Sequence, residues 1–240
     1  MEQKSYRSFY RKLAWIFLFG ISMGYFEASI VVYLRELYYP EGFSFPLKLI
    51  PYELIMVELG REFFSLVMIA SVAALSARKL WERFAFFIII FGVWDIFYYI
   101  WLKLTLDWPS SIFDWDVLFL IPLPWIGPVI APVLIAVLMI VVGIMISRRF
   151  ACGETFTSTK TSWVFAVMAT GIILYSFMRD IDAGLHQAIP KEYAYWMLLT
   201  GLGLYSAGFV HAYWKSDDRK KKNSNSDTTE NHLTHSPFQP

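Results

Sequence analysis

The chain has 240 residues, of which 57% are hydrophobic, 19% aromatic and only 17% charged, and its net charge is +1. A soluble domain carries roughly a quarter charged residues, so too little polar surface is present here to cover the apolar content, and an ordinary soluble domain is excluded. The balanced charge, with no basic stripe interleaved with aromatics, offers nothing to nucleic acid.

The chain opens on a basic stretch, residues 1–12, read as a cytoplasmic tail. The apolar run Leu13–Leu34 follows. That run is too long for the apolar core of a signal peptide, and no small-residue cleavage site closes it. It reads as a first membrane helix, since crossing a bilayer takes about 20 mostly apolar residues. Further runs of this kind are Leu54–Ser76, Phe84–Lys103, Trp125–Ser147, Ser162–Asp182 and Tyr193–Trp214. Helices are expected because every backbone group in lipid needs an internal partner. The alternation of polar and apolar residues that a membrane barrel requires is absent. The fold class expected is therefore all-α: a polytopic membrane bundle of about six transmembrane helices over residues 13–214.

Orientation follows from lysine and arginine, which collect on the cytoplasmic side. Lys4, Arg7, Arg11 and Lys12 precede the first run; Arg78, Lys79 and Arg83 follow the second. Arg148, Arg149 and Lys160 follow the fourth, and Lys215, Arg219, Lys220, Lys221 and Lys222 follow the last. The alternate loops hold only Arg35, Lys48 and Lys191, with Lys103 at a helix end. Both ends of the chain are accordingly placed in the cytoplasm. The polar stretch 215–240 cannot bury a core and is expected to be disordered; His232 and His235 within it read as solvated. Cys152 stands alone, so no internal disulfide is possible, and a reduced thiol suits its cytoplasmic loop.

The stretch Trp115–Pro128 is unusual in composition. Pro122, Pro124, Pro128 and Pro132 lack an N–H and clash with the carbonyl four residues back. A short interfacial or re-entrant segment over Trp115–Ile121, then a turn, then the span, is expected. It would form either a non-helical wall on a water-filled cavity or a kinked helix packed on its neighbours.

Ionisable residues inside spans are costly and are read first as functional. Depth is gauged at about 1.5 Å per residue along a helix. Glu27 lies past the middle of the first run. Glu58, Arg61, Glu62 and Ser65 share one face of the second. Asp95 sits near the middle of the third, with Tyr98 and Tyr99 a turn beyond. Arg179 and Asp182 mark the end of the fifth, and His186 follows if that helix continues. All fall in the outer half of the bilayer. The excess of carboxyls over guanidiniums demands protonation, hydration or a bound cation. The competing view is a purely structural ion-pair network that fixes helix register. Gly20, Gly24 and Ala28, at four-residue spacing, mark a close helix contact.

Three functions fit an outward-facing ionisable cavity: proton- or cation-linked transport of a small solute, a metal-dependent intramembrane hydrolase, or structural assembly. Intramembrane carboxyl chains serve proton relays, which favours transport, and a homodimer would suit so small a transporter. Histidine motifs typical of a zinc hydrolase are absent, and carboxylates alone would favour magnesium, calcium or manganese. No cofactor or metal is named by the sequence, and enzyme activity stays open.

Glu27-Ala28 followed by Tyr33-Leu34-Arg35-Glu36-Leu37-Tyr38-Tyr39-Pro40, then Trp94-Asp95-Ile96-Phe97-Tyr98-Tyr99, then Ile121-Pro122-Leu123-Pro124-Trp125-Ile126-Gly127-Pro128 together resemble a group of uncharacterised bacterial multi-pass membrane proteins. The resemblance implies a bacterial cytoplasmic membrane as the location and brings no site or substrate with it.

Overall fold

The computed structural model describes residues 2–48, 50–186 and 188–234, with side chains placed for 6–217 apart from positions 49 and 187. The elements in order are α1 (Glu2–Tyr38), α2 (Tyr52–Ser76), α3 (Leu80–Leu106), β1 (Trp115–Phe119), β2 (Trp125–Pro128), α4 (Ile130–Ala151), α5 (Lys160–Met178), α6 (Ile181–Leu185) and α7 (Tyr195–Thr234). The chain is overwhelmingly helical. Among the described residues four helices are long and apolar enough to cross a membrane: Tyr6–Tyr38, Leu80–Leu106, Ile130–Ala151 and Lys160–Met178. Large apolar side chains such as Trp15, Phe64, Val167, Trp196 and Leu199 are well over half exposed, as a lipid-facing surface would be and a water-facing one would not.

Close contacts at glycine fix how the helices run. A Cβ on Gly20 would meet Val93 Cγ1 at 2.8 Å and one on Gly24 would meet Phe97 Cβ at 3.0 Å, so α1 and α3 run parallel. A Cβ on Gly92 would meet the Ala136 carbonyl oxygen at 2.6 Å, and one on Gly143 the Ala85 oxygen at 2.8 Å, so α3 and α4 run antiparallel. Gly201 against Ile173 and Gly208 against Phe165 set α5 and α7 antiparallel in the same way. Small residues let helix backbones approach where lipid supplies no hydrophobic drive to associate. α3 is the central helix: Ile89, Ile90, Val93 and Trp94 pack with Ile16 and Met23 of α1 and Ile69 and Ala73 of α2. A second cluster joins Ala131, Ile173, Phe177, Tyr193 and Leu198.

Several element bounds differ from those expected. α1 begins at Glu2, so residues 2–12 are its first turns rather than a separate tail; no proline or glycine interrupts the chain before Gly20. The segment Trp115–Pro128 is a β-hairpin. Its strands pair antiparallel with Trp115 opposite Pro128 and Val117 opposite Ile126, and the register is irregular between Val117 and Phe119. The fourth helix therefore starts at Ile130, not Trp125, and Pro132 falls in its first turn, where a missing N–H costs no intrahelical bond. α5 ends at Met178, and Arg179 and Asp180 turn the chain into the short α6. Helix α7 continues to Thr234 through the stretch expected to be disordered; no proline or glycine stands between Lys215 and Thr234 to end it. Positions 235–240 of that expected tail, His235 among them, lie outside the described residues.

Candidate functional site

The end of α1, the start of α2, the far half of α3 and the hairpin meet around a cavity of about 430 Å³. Helix α1 supplies Glu27, Val31, Leu34, Arg35 and Tyr38 to its wall, which is one helical face at three- and four-residue spacing. Helix α2 supplies Glu58, Arg61 and Glu62, and α3 supplies Trp94, Asp95, Tyr98 and Tyr99. The hairpin closes it with Asp116 to Leu120, Pro124 and Trp125.

Two guanidiniums organise the polar wall. Arg61 donates from Nε and Nη2 to Glu58 Oε2 at 2.8 and 2.6 Å, and its Nη1 pairs with Glu27 of the neighbouring helix. The Ser65 hydroxyl, one turn further along α2, donates to Glu27 Oε2 at 3.3 Å. Arg61 thus bridges α1 and α2. Arg35 donates from Nη2 to Asp116 Oδ1 at 2.9 Å and ties α1 to the hairpin. Its guanidinium sits in the corner of two perpendicular rings, Phe43, 4.2 Å from the ring centroid, and Trp108, 3.7 Å. Both side chains of this pair are almost fully buried, at 7% and 3% exposure. In the hairpin, burial pushes the Asp116 carboxyl up to about 6, opposed by the Arg35 charge, the Val117 N–H and the Tyr99 hydroxyl.

Glu62 plays a different part. Both of its carboxylate oxygens accept the Leu120 backbone N–H, at 2.9 and 3.1 Å. The hairpin stands outside any helical hydrogen-bond ladder, and this carboxylate supplies a partner for its backbone. Asp95 and Asp116 each retain an Oδ2 that is buried and has no hydrogen-bond partner among the described residues.

The structure brings Glu27, Glu58, Arg61, Glu62, Asp95 and Tyr98 around one cavity. Arg179, Asp182 and His186 are not on its wall. Asp182 and His186 approach each other at 3.2 Å, with side chains 73% and 72% exposed, because the chain turns after Met178 instead of continuing as helix α5. Arg35 and Asp116 take their place. Arg35 was legible only as a loop cation, although it lies on the Glu27 face two turns on. Asp116 was missed, although being the lone charge in the proline-rich stretch was a signal that could have found it. With this exchange the wall holds five carboxyls (Glu27, Glu58, Glu62, Asp95 and Asp116) against the buried guanidinium of Arg35 and the partly buried one of Arg61, with the exposed Lys48 at the rim.

At the opposite end of the bundle Arg149 forms a separate knot. It is 3% exposed, pairs with Glu154 at 3.2 Å and with Asp217, and donates to the Tyr213 carbonyl at 3.1 Å. This knot joins α4 to α7.

No family model, no curated protein and no solved structure matches the chain.

Proposed function

We propose that the chain is a six-span protein of a bacterial cytoplasmic membrane, with both ends in the cytoplasm, and that its cavity opens outward to carry a small solute coupled to protons or a cation. The observation that supports this most is the excess of carboxyls over guanidiniums on one cavity wall. Buried acids without a full set of counter-charges must hold protons or cations to stay neutral, and such groups are the ones that proton relays use. Asp95 is the residue most suited to that exchange. It lies on the central helix and belongs to no ion pair among the described residues. Glu27 and Glu58 are held by Arg61, Asp116 by Arg35, and Glu62 by the hairpin.

Solid-supported-membrane electrophysiology on proteoliposomes tests the reading. Amino acids, organic cations, carboxylates and sugars are applied in turn under a pH gradient. At least one class is expected to evoke a protein-dependent current, and Asp95→Asn is expected to lose it while remaining folded. Silence across the whole panel from correctly folded protein would sink the transport reading.

Structural assembly is the second reading, favoured by the Arg61 bridge between Glu27 and Glu58; it predicts that silence. A metal-dependent hydrolase would draw on the same carboxyls. Among the described residues no three acid, histidine or cysteine side chains converge as a metal-ligand group. Elemental mass spectrometry on the purified protein beside Glu58→Gln and Asp95→Asn is the direct check on that third reading.

A further inference from the structure

The chemistry of the wall narrows the solute. Its guanidiniums are largely engaged: Arg61 by Glu27 and Glu58, Arg35 through Nη2 by Asp116 and by two aromatic faces, with Arg35 Nη1 buried and without a hydrogen-bond partner among the described residues. The charge balance of the wall is negative, five carboxyls against Arg35, Arg61 and the rim Lys48. Asp116, with a side chain 3% exposed, has a buried Oδ2 without a partner among the described residues, and Asp95 has another. Desolvated carboxylate oxygens of this kind are costly unless a cation or proton meets them.

The rest of the wall is apolar and aromatic. Phe91, Trp94, Tyr98, Tyr99, Phe119 and Phe177 all reach the cavity. An inorganic cation would have to give up its hydration shell to such a surface, and among the described residues no three acid side chains converge to replace it. An organic cation loses little hydration and gains from aromatic faces. The protein's own Arg35 already shows this chemistry, seated against Phe43 and Trp108 at the cavity's edge. The volume of about 430 Å³ lies within the range that holds a drug-sized molecule.

We propose that the cavity binds a hydrophobic organic cation, with its charge set against Asp95 and Asp116 and its body against the aromatic wall. The proposal rests on the transport reading in one respect, that the cavity admits solute.

The test is equilibrium binding to the full-length protein in nanodiscs. The probe is radiolabelled tetraphenylphosphonium, compared with tetraphenylborate, which has the same shape and the opposite charge; empty nanodiscs correct for partition into lipid. Saturable, competable binding of the phosphonium is expected, with the borate weaker by at least about tenfold, a factor that one unfavourable charge contact readily supplies. Asp95→Asn, checked for monodispersity and cooperative unfolding, is expected to weaken phosphonium binding by about tenfold or more. Absence of saturable phosphonium binding, or equal binding of the borate, overturns the proposal on wild-type protein alone, so it does not depend on the variant folding. Phosphonium binding without any current in proteoliposomes would keep this inference and remove transport. Current with a sugar or an anion, without phosphonium binding, would do the reverse.

Discussion

Glu62 is one turn from Glu58 on the same helix face, yet the two carboxyls do different work. Glu58 meets a guanidinium, whereas Glu62 accepts a backbone N–H from a hairpin that stands outside any helical ladder. The distinction predicts different responses to substitution. Glu62→Ala strands the Leu120 N–H in a partly buried setting, at a cost of about 1–3 kcal/mol. Glu62→Gln keeps an acceptor oxygen and is expected to cost less than about 1 kcal/mol, the net worth of an ordinary hydrogen bond. Thermal unfolding of the detergent-solubilised protein ranks the two, and hydrogen exchange at Leu120 reports the anchor directly. An alanine variant as stable as wild type, with Leu120 still protected, would show that the hairpin is held by its own ladder. At this scale the sequence is a good guide to which residues are costly to bury but a poor one to their partners. Glu27, Glu58 and Arg61 announce themselves as charges in an apolar run. That Arg61 reaches Glu27 depends on how α1 lies against α2, and no spacing within one helix encodes that.

The four described helices long and apolar enough to cross a membrane were legible because crossing lipid demands a length and apolarity that the sequence displays. The glycines between them give the sharpest prediction at this scale. Gly92 sits where a Cβ would come within 2.6 Å of the Ala136 carbonyl oxygen, a backbone atom that cannot swing away. Gly92→Ala should therefore force α3 from α4 and destabilise by about 1–3 kcal/mol, as overpacking does. A Cβ on Gly171 would meet nothing within 4 Å, so Gly171→Ala should be neutral or stabilising by up to about 1 kcal/mol, the difference in helix propensity. Unfolding midpoints for the pair measure the difference; equal shifts would mean that α3 and α4 are not in contact at Gly92. The hairpin was the element least legible in advance. Four prolines argue against a regular helix and leave a non-helical wall and a kinked helix both open, and strand pairing between Val117 and Ile126 leaves no short-range mark when the turn is Ile121-Pro122-Leu123-Pro124 rather than a glycine turn. The end of α5 was misplaced for a related reason. Apolar periodicity carries the eye past Met178, and nothing local says that Arg179 and Asp180 turn the chain, so Asp182 and His186 were assigned to a wall they do not reach.

At the scale of the whole molecule, the direction in which the cavity faces decides what it can do, and the lysines and arginines give it an orientation that can be measured with one native atom. Cys152 carries the chain's sole thiol and is exposed, at the end of α4 beside the Arg148–Arg149 pair. Its end of the bundle also holds Lys12 and Glu82, paired at 3.5 Å across the starts of the two parallel helices α1 and α3. The cavity lies at the other end, where the exposed Ser44 follows α1. Arg149 is partly spent in its own ion pairs, but topology is set by the basic residues a loop presents during insertion, before such pairs form. On the proposed orientation this end is cytoplasmic, so a membrane-impermeant maleimide should leave Cys152 unlabelled in intact cells and label it in inside-out vesicles. In a Cys152→Ser background, Ser44→Cys should behave in the opposite way, labelled from outside and protected in inside-out vesicles. The two sites control for each other, since a thiol buried in the fold would stay unlabelled in both preparations. If both patterns came out reversed, the cavity would open to the cytoplasm, and the carboxyl excess on its wall would have to be neutralised by cytoplasmic protons or cations. Uptake from outside would then give way to export as the direction of the cycle, with the same residues carrying it.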